Sequence, residues 1–490
     1  LSEALRADLL ADADEEEEEG EFEEAEELRE AAEQRGFVPN SATETWTING
    51  GLGIILGEST FGASVGYYDS SYGLVGNPEG GHHHGEEEHD EEEEHDDEEH
   101  GEEEEENVSI GVEQLRVDFR GDIALGQGTF SRLKLRGGYS DYTHTEFEGD
   151  EVGTVFDTET FEARAELVQS SGGVIGTQFT SRDFSAVGAE AFVAPHDTTQ
   201  IAIFTAQEFD LDNFQIEAAA RYEKVDVENT IESIERNFDL FSGALSFVHI
   251  TDGGARLGVT TSLSERAPAG EELFANGPHI ATQIFEIGDV NLAEESAIGI
   301  EVFASVDLGN AQLGASVYHQ TFEDFIYLSG TGLEEDELPV FEFLQQDASF
   351  FGFEADMVLP LISRDSYSLT ADLRASYVSA DLDDGSNVPR MPPVSIYAAL
   401  DTEFELFDVR TEIQWFGKQN NIAEFETQTD DFALVNLMLS WRPLAENQNV
   451  VVHLAGENLF DTTGRRHSSF SKEFLPLTGR NVKASVRFSF

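Results

Sequence analysis

The sequence predicts an all-β protein, a transmembrane antiparallel β-barrel of the bacterial outer membrane with about 19 strands. One observation behind this prediction is a two-residue period of apolar side chains along most of the 490 residues. Another is the length of the links between the periodic segments, which are short and long in turn. Short turns at one end and long loops at the other are typical of outer-membrane barrels, whose strands alternate apolar and polar side chains.

The elements follow one another from an acidic N-terminal segment, residues 1–42, which we predict to be an external loop. The predicted transmembrane barrel covers residues 43–490, and its first strand covers 43–56. In 298–308 every second residue from Ile298 to Leu308 is apolar, which predicts one face toward lipid and one toward the lumen. The same alternation marks the segments 115–125, 214–223, 433–441 and 481–490.

The lengths of the links between these strands are the second observation behind the predicted barrel. The short ones are 126–128, 171–173, 251–254, 309–310 and 363–365. The long ones are 71–107, 141–153, 183–196, 227–235, 265–294, 322–346, 380–393, 418–430 and 460–480. A soluble β-sandwich or β-solenoid is the alternative, and the long strands with aromatic residues near their ends argue against it.

Composition excludes several classes of function. The formal net charge of −73, with 27 basic residues, argues against nucleic acid as a partner, because phosphates are bound through Lys and Arg. There is no cysteine, so imidazole and carboxylate are the strong metal ligands that remain. No apolar run of about 18 residues predicts a transmembrane helix. No nucleophile motif or phosphate loop is present, so we predict no enzyme, no catalytic residues and no catalytic cofactor.

The predicted loop 71–107 contains the stretch GGHHHGEEEHDEEEEHDDEEHGEEEEE, residues 80–106, which holds six of the 13 histidines and no Lys or Arg. Imidazole nitrogens with carboxylate oxygens between them are ligands that zinc accepts. A solvated acidic loop with incidental histidines is the alternative, but so high a density of histidine favours metal capture. The candidate metal ligands in this stretch are His82, His83, His84, His89, His95 and His100.

A specific site is expected deeper than this stretch, where ligands are held in place. His279, after the rigid Pro278, is the first candidate, and His144 with Glu146 and Glu148 is the second. The remaining histidines are weaker candidates: His196 in a loop, His467 in the last loop, and His249, His319 and His453 within predicted strands.

Three stretches carry a family resemblance. Residues 456–490 begin GENLFDTTG and end in Phe490, residues 264–296 contain SERAPAGEELF followed by NGPHIATQ, and the third stretch is the histidine-acid run 80–106. In this order they resemble TonB-dependent outer-membrane receptors, and the third resembles an external loop of their zinc-uptake branch. The resemblance implies a 22-stranded barrel, zinc as the transported ligand, and the TonB complex and outer-membrane lipid as partners.

The sequence departs from these receptors at its beginning. They start with a signal peptide, a TonB-contacting box and a plug domain, and none of these is recognisable in the 490 residues, which begin at Leu1. We therefore expect the N-terminal plug domain to be absent from this sequence, and about 19 of 22 strands to be present.

Other functions remain open at this point. Receptors for haem resemble this chain in carrying a histidine between an Arg-Ala-Pro and an Asn-Leu motif, as His279 lies between residues 266–268 and 291–292. Nickel or copper is another alternative, because intrinsic affinity does not favour zinc over copper at nitrogen sites. A passive outer-membrane pore and a surface adhesin are alternatives from a different class.

Overall fold

A computed structural model of the chain describes residues 40–74, 108–149, 151–188, 190–335, 338–444, 449–472 and 475–489, and a few isolated residues within 1–39. The predicted external loop 1–42 and the stretch 80–106, with all six of its histidines, therefore lie almost wholly outside the described residues. Among the described residues no helix is both long enough and apolar enough to cross a membrane.

Between residues 40 and 489 the described chain is nearly all β-structure, with one short helix, α1 (Gly270–Phe274). Its strands are β1 (Thr43–Leu56), β2 (Ser59–Gly73), β3 (Val108–Ala124), β4 (Phe130–Glu148), β5 (Glu151–Gln169), β6 (Val174–Gly188), β7 (His196–Leu211), β8 (Phe214–Asn229), β9 (Ile234–Ile250), β10 (Arg256–Arg266), β11 (Asn276–His279), β12 (Ile284–Ile287), β13 (Glu295–Leu308), β14 (Ala311–Glu335), β15 (Leu338–Arg364), β16 (Tyr367–Leu382), β17 (Ser395–Phe404), β18 (Phe407–Phe416), β19 (Phe432–Trp441), β20 (Val450–Glu457) and β21 (Asn481–Phe488).

Nineteen of these 21 strands form one continuous wall, since β11 and β12 are four-residue strands inside the connection 267–294. Each wall strand pairs antiparallel with the next, and β10 pairs with β13 across that connection. Among the described residues β1 pairs with β2 and β21 pairs with β20, so these two are the edge strands of the sheet. The predicted fold class and strand number are confirmed.

The two ends of the wall differ as predicted. At one end of the wall, short turns join β1 to β2, β3 to β4, and every second pair of neighbouring wall strands after them. We call it the short-turn end. The opposite end, the long-loop end, carries the connections 74–107, 267–294, 383–394, 417–431 and 458–480.

Three predicted long loops are mostly strand. In 141–153 only residues 149–150 separate β4 from β5, in 227–235 only 230–233 separate β8 from β9, and in 322–346 only 336–337 separate β14 from β15. These segments are rich in polar residues on both faces, which we interpreted as loop. The loss of apolar alternation marks where lipid contact ends, whereas the strands continue because their backbone groups remain paired.

The outer face is apolar and exposed, as a lipid-facing wall requires. On β13 the side chains of Ile298, Ile300 and Val302 are 61%, 51% and 55% exposed. The main apolar core lies under the long-loop end, where α1 and the residues near it pack against β8, β9 and β14. The members of this core are Val225, Val227, Phe238, Leu240, Leu273, Phe274, Leu292 and Ile326.

The lumen-facing side of β4 changes in character along its length. Near the short-turn end Arg136 stands directly opposite Arg120 of β3 and Arg164 of β5. Arg164 donates to Glu166 at 2.6 Å, whereas Arg120 and Arg136 are exposed. Neighbouring like charges in a sheet repel each other, and the next lumen-facing row places Asp122 and Glu166 opposite Lys134, so the three arginines form a short row of positive charge beside acidic neighbours.

Connection 267–294 is held in place at both ends. At its start Arg266 contacts Glu272 at 2.8 Å and Glu295 at 3.3 Å. At its end the amide of Gln345 donates to the Ala293 carbonyl at 2.8 Å, and the Ala293 N–H donates back to Gln345 at 2.8 Å. These contacts make the connection a folded excursion over the lumen.

A buried histidine fills the space at the start of α1. His196 is 0% exposed, its ring stacks on Phe184 with centroids 4.8 Å apart, and its Nδ1–H donates to the Ala194 carbonyl at 3.0 Å. A methyl group added at Gly270 would lie 2.0 Å from His196 Nε2. His196, a weaker metal candidate from the sequence, is thus packed against α1.

We predict that Gly270→Ala destabilises the excursion 267–294, because the new methyl must displace a fully buried ring. Overpacking of this kind typically costs about 1–3 kcal/mol. Amide hydrogen exchange across 270–287 should become faster. Gly253→Ala is the matched control, since its added methyl meets only the Thr251 Oγ1 at 3.9 Å. Equal exchange in both variants would contradict the packing role of Gly270.

Candidate metal centre

Five side chains from three elements meet on the lumen side of the long-loop end. His144, Glu146 and Glu148 lie on one face of β4 because alternate residues of a strand point the same way. Glu190 comes from the β6–β7 connection, and His279 ends β11 in the excursion. We call these five residues, His144, Glu146, Glu148, Glu190 and His279, the His/Glu cluster.

A run of aromatic contacts holds the excursion against the wall at this point. The ring of His279 stacks on Phe192 with centroids 4.3 Å apart. Phe192 contacts Phe156 at 6.0 Å, and Phe156 contacts His144 at 5.3 Å. The Asn276 N–H donates to the Phe192 carbonyl at 2.6 Å. These contacts bring the two sequence-predicted histidine candidates, 135 residues apart, to one place.

The polar atoms at the centre of the cluster are buried and lack hydrogen-bond partners. His144 Nε2 lies 3.6 Å from Glu146 Oε1, which is too long for a hydrogen bond. Both atoms, and Glu190 Oε2 as well, are buried without a hydrogen-bond partner. An unsatisfied buried polar atom costs about 1–3 kcal/mol, and the cluster holds three of the six such side-chain atoms among the described residues.

The carboxyl groups of the cluster repel one another. Burial, together with a hydrogen bond to Glu148 and the negative charges of Glu148 and Glu146, raises the pKa of Glu190 to about 8. In the absence of a cation the Glu190 carboxyl therefore keeps its proton at neutral pH.

His279 is oriented by a carboxylate outside the cluster. Its Nδ1 lies 2.7 Å from Glu286 Oε1 of β12, so Nδ1–H donates to Glu286 and the Nε2 lone pair is left free. Histidines that bind metals commonly have such a carboxylate partner on the second ring nitrogen. Glu286 itself is 8% exposed.

One distance in the cluster matches the ligand spacing of a zinc-sized ion. Two ligands about 2.0–2.1 Å from a tetrahedral zinc ion are roughly 3.4 Å apart, close to the 3.6 Å between His144 Nε2 and Glu146 Oε1. Within the described ranges no three His, Asp or Glu side chains already stand in a coordinating arrangement. Binding an ion here therefore requires the remaining side chains to close in.

The other histidines with a described position have different surroundings. His249 lies toward the short-turn end, where its Nδ1–H donates to the Asn213 carbonyl at 3.1 Å. His453 contacts the Ser440 hydroxyl at 2.9 Å. His467 is 2% exposed and contacts Thr429 and Glu426, both at 3.1 Å.

Sequence reasoning missed Glu190 and Glu286. No signal in the sequence marks them, because 100 acidic residues are spread through the chain and only the folded positions show which carboxylates face a histidine.

Comparison with known proteins gives the family. The sequence model described as "TonB dependent receptor-like, beta-barrel" matches residues 37–459. The chain belongs to this family. It is an outer-membrane β-barrel of the TonB-dependent receptor class, whose members act in transport. The long-loop end of such a barrel is extracellular.

Solved structures show the same fold. The copper transporter OprC aligns with a TM-score of 0.74 at 15% identity, covering 92% of this chain and 73% of that one. The FrpB iron transporter from Neisseria meningitidis (F3-3 variant) aligns with a TM-score of 0.69 at 12% identity, covering 92% and 73%. The ferric yersiniabactin uptake receptor FyuA from Yersinia pestis aligns with a TM-score of 0.61 at 12% identity, covering 91% and 71%.

We predict that the metal-free protein loses stability as the pH rises toward 8. The folded-state pKa of Glu190 is raised to about 8, so its contribution is fully present below the unfolded value of about 4.3 and is lost progressively up to about pH 8, because over this range the carboxyl is ionised in the unfolded chain and protonated in the folded one. Glu190→Gln should flatten this decline. Thermal unfolding in chelator at pH 5, 6.5 and 8 measures it.

The control for this prediction is Glu228→Gln, which neutralises an exposed carboxylate on β8. It should keep the wild-type pH profile. Parallel profiles for wild type and Glu190→Gln would show that Glu190 does not titrate in this range.

Proposed function

We propose that this chain takes up zinc across the outer membrane by a TonB-dependent mechanism, and that the His/Glu cluster is its specific binding site. The observation that carries the proposal is the convergence of two imidazoles and three carboxylates around three buried polar atoms that lack partners. A divalent cation satisfies all three atoms and neutralises the repulsion between the carboxyl groups.

The composition of the cluster favours zinc over its rivals. All its ligands are nitrogen and oxygen, and the chain has no cysteine and three methionines, whereas Cu(I) sites favour sulfur. Haem is disfavoured because the cluster around His279 is rich in carboxylates, which suit a small cation and not a large apolar macrocycle. Copper remains the second candidate, since Cu(II) binds imidazole and carboxylate more tightly than zinc does.

We further propose that the histidine-acid stretch 80–106 concentrates cations above the cluster. This part of the proposal rests on composition and on where the stretch is attached, because its residues lie outside the described ranges. Gly73 ends β2 and Val108 begins β3, both at the long-loop end. Val108 is the register partner of Glu148 in the cluster, so the stretch joins the wall one strand away from the site.

We predict that His279→Ala and His144→Ala each weaken zinc binding by roughly tenfold or more, the lower end of what loss of even an outer-shell partner costs. Isothermal titration of the purified barrel measures the binding. The matched control is His249→Ala, which removes a histidine near the opposite end. Unchanged affinity in both cluster variants would exclude the cluster as the site.

Uptake in zinc-starved cells that carry the complete gene extends the same test. Radioactive zinc uptake should require a working TonB and should fall in His279→Ala. Uptake indifferent to TonB would indicate a passive pore, and binding of haem in place of zinc would support the haem alternative.

We predict that deletion of residues 82–106 lowers uptake when zinc is scarce and has little effect when zinc is plentiful, because concentrating a cation matters only below saturation of the specific site. Uptake over a range of zinc concentrations measures this. Equal uptake by the deletion variant at every concentration would contradict a capture role.

A further inference from the structure

Arg390 occupies a strained position in the connection 383–394. Its backbone φ is 57°, in the left-handed region that residues other than glycine rarely adopt. Such strain persists where surrounding contacts determine the conformation, and it is concentrated at functional sites. The contacts of Arg390 hold it in this conformation.

These contacts join four segments of the long-loop end. The Arg390 N–H donates to Glu426 Oε1 at 3.0 Å, which ties 383–394 to the connection 417–431. The guanidinium donates to the Leu328 carbonyl of β14 at 3.2 Å. The same group lies 4.1 Å from the ring centroid of Phe470, in the connection 458–480.

Glu426 is the centre of this arrangement. It accepts from the Ala423 N–H at 3.0 Å and from Lys472 Nζ at 3.1 Å, and His467 Nε2 lies 3.1 Å away. Although burial opposes ionisation, the contacts with His467, Ala423 and Lys472 bring the pKa of Glu426 down to about 2. Glu426 is therefore negatively charged at neutral pH. We call Glu426 and its partners Arg390, His467 and Lys472 the Glu426 hub.

The hub reaches the His/Glu cluster through Arg390. Phe470, under the guanidinium, contacts Phe341 at 6.0 Å, and Phe341 is the register partner of Glu286 in the parallel pair of β12 and β15. Glu286 is the carboxylate that orients His279. Burial lowers the pKa of Arg390, and the charges of Glu426 and Glu286 oppose this change, so both carboxylates lie in the field of one guanidinium.

We propose that Arg390 is a positioning residue for the His/Glu cluster: through Phe470 and Phe341 it supports the pair of β12 and β15, which carries Glu286 to His279, and it links this pair to the Glu426 hub. The part of this inference that concerns transport rests on the proposed function. Coupling between two sites is reciprocal. Cation binding at the cluster therefore stabilises the arrangement of 383–394, 417–431 and 458–480, and a break in the hub weakens the cluster.

The test compares Arg390→Met, which fills the space without charge, with Arg390→Lys, which keeps the charge. Amide hydrogen exchange of 276–287 is measured on the full chain without metal. We expect exchange about fivefold faster or more in Arg390→Met and in Glu426→Gln, the lower end of typical coupling between sites. Arg390→Lys should restore most of the protection, which a purely space-filling role would not produce.

Lys418→Gln is the matched control, because it removes an exposed ion pair with Asp430 in the same connection 417–431. It should exchange like the wild type. Wild-type exchange of 276–287 in Arg390→Met would overturn the positioning role, and so would equal exchange in the Met and Lys variants.

Zinc titration of the same variants gives a second readout, because loss of charge and loss of positioning change the zinc affinity in opposite directions. Loss of a nearby positive charge alone would tighten zinc binding, whereas loss of positioning weakens it, so tighter binding in Arg390→Met would overturn the inference. If the wild type bound no zinc, the proposed function would fail, and the exchange measurement would still decide whether Arg390 positions β11 and β12.

Discussion

Backbone hydrogen bonding is the constraint on which the rest of this structure depends. Inside a bilayer no water can satisfy N–H and C=O groups, so a membrane-spanning sheet must pair each strand with its neighbours. The pairing then determines which residues stand side by side. His144, Glu146 and Glu148 share the lumen face of β4 because the register with β3 and β5 leaves them no other orientation. The chemistry of the long-loop end is built on that register.

The second requirement is a segment that carries polar side chains across the lumen to the wall. Excursion 267–294 meets it by leaving the wall after β10, packing α1 on β8, β9 and β14, and adding β12 in parallel to β15 before it returns at β13. This route places His279 near the wall, with Glu286 hydrogen-bonded to it. Contacts at both ends of the excursion hold His279 in a fixed place, which a free loop could not provide at the same entropic cost.

Sequence alone predicted the fold because the two-residue period and the alternating links are imposed by lipid on one face and by water at the two ends. It also named His279, His144 and Glu146 as candidate metal ligands, but it assigned the last two to a loop, and only the structure places them on one face of β4. It could not predict where strands end beyond the membrane, because polar residues on both faces are compatible with strand and loop alike. Nor could it select Glu190 or Glu286, whose importance depends on long-range neighbours and not on local pattern.

The inner face of β4 has a further consequence. Eight residues, about 27 Å of strand, separate His144 from Arg136, which is more than three times the Debye length of about 8 Å in physiological salt. The arginines at the base therefore do not weaken cation binding at the mouth. They would, however, repel a bare cation that moved down this wall, while an anion would be drawn to it. Asp122 and Glu166 stand opposite Lys134 just below the arginines, so the charge along this face of β4 changes sign more than once, and an ion that moved along it would pass alternating regions of attraction and repulsion.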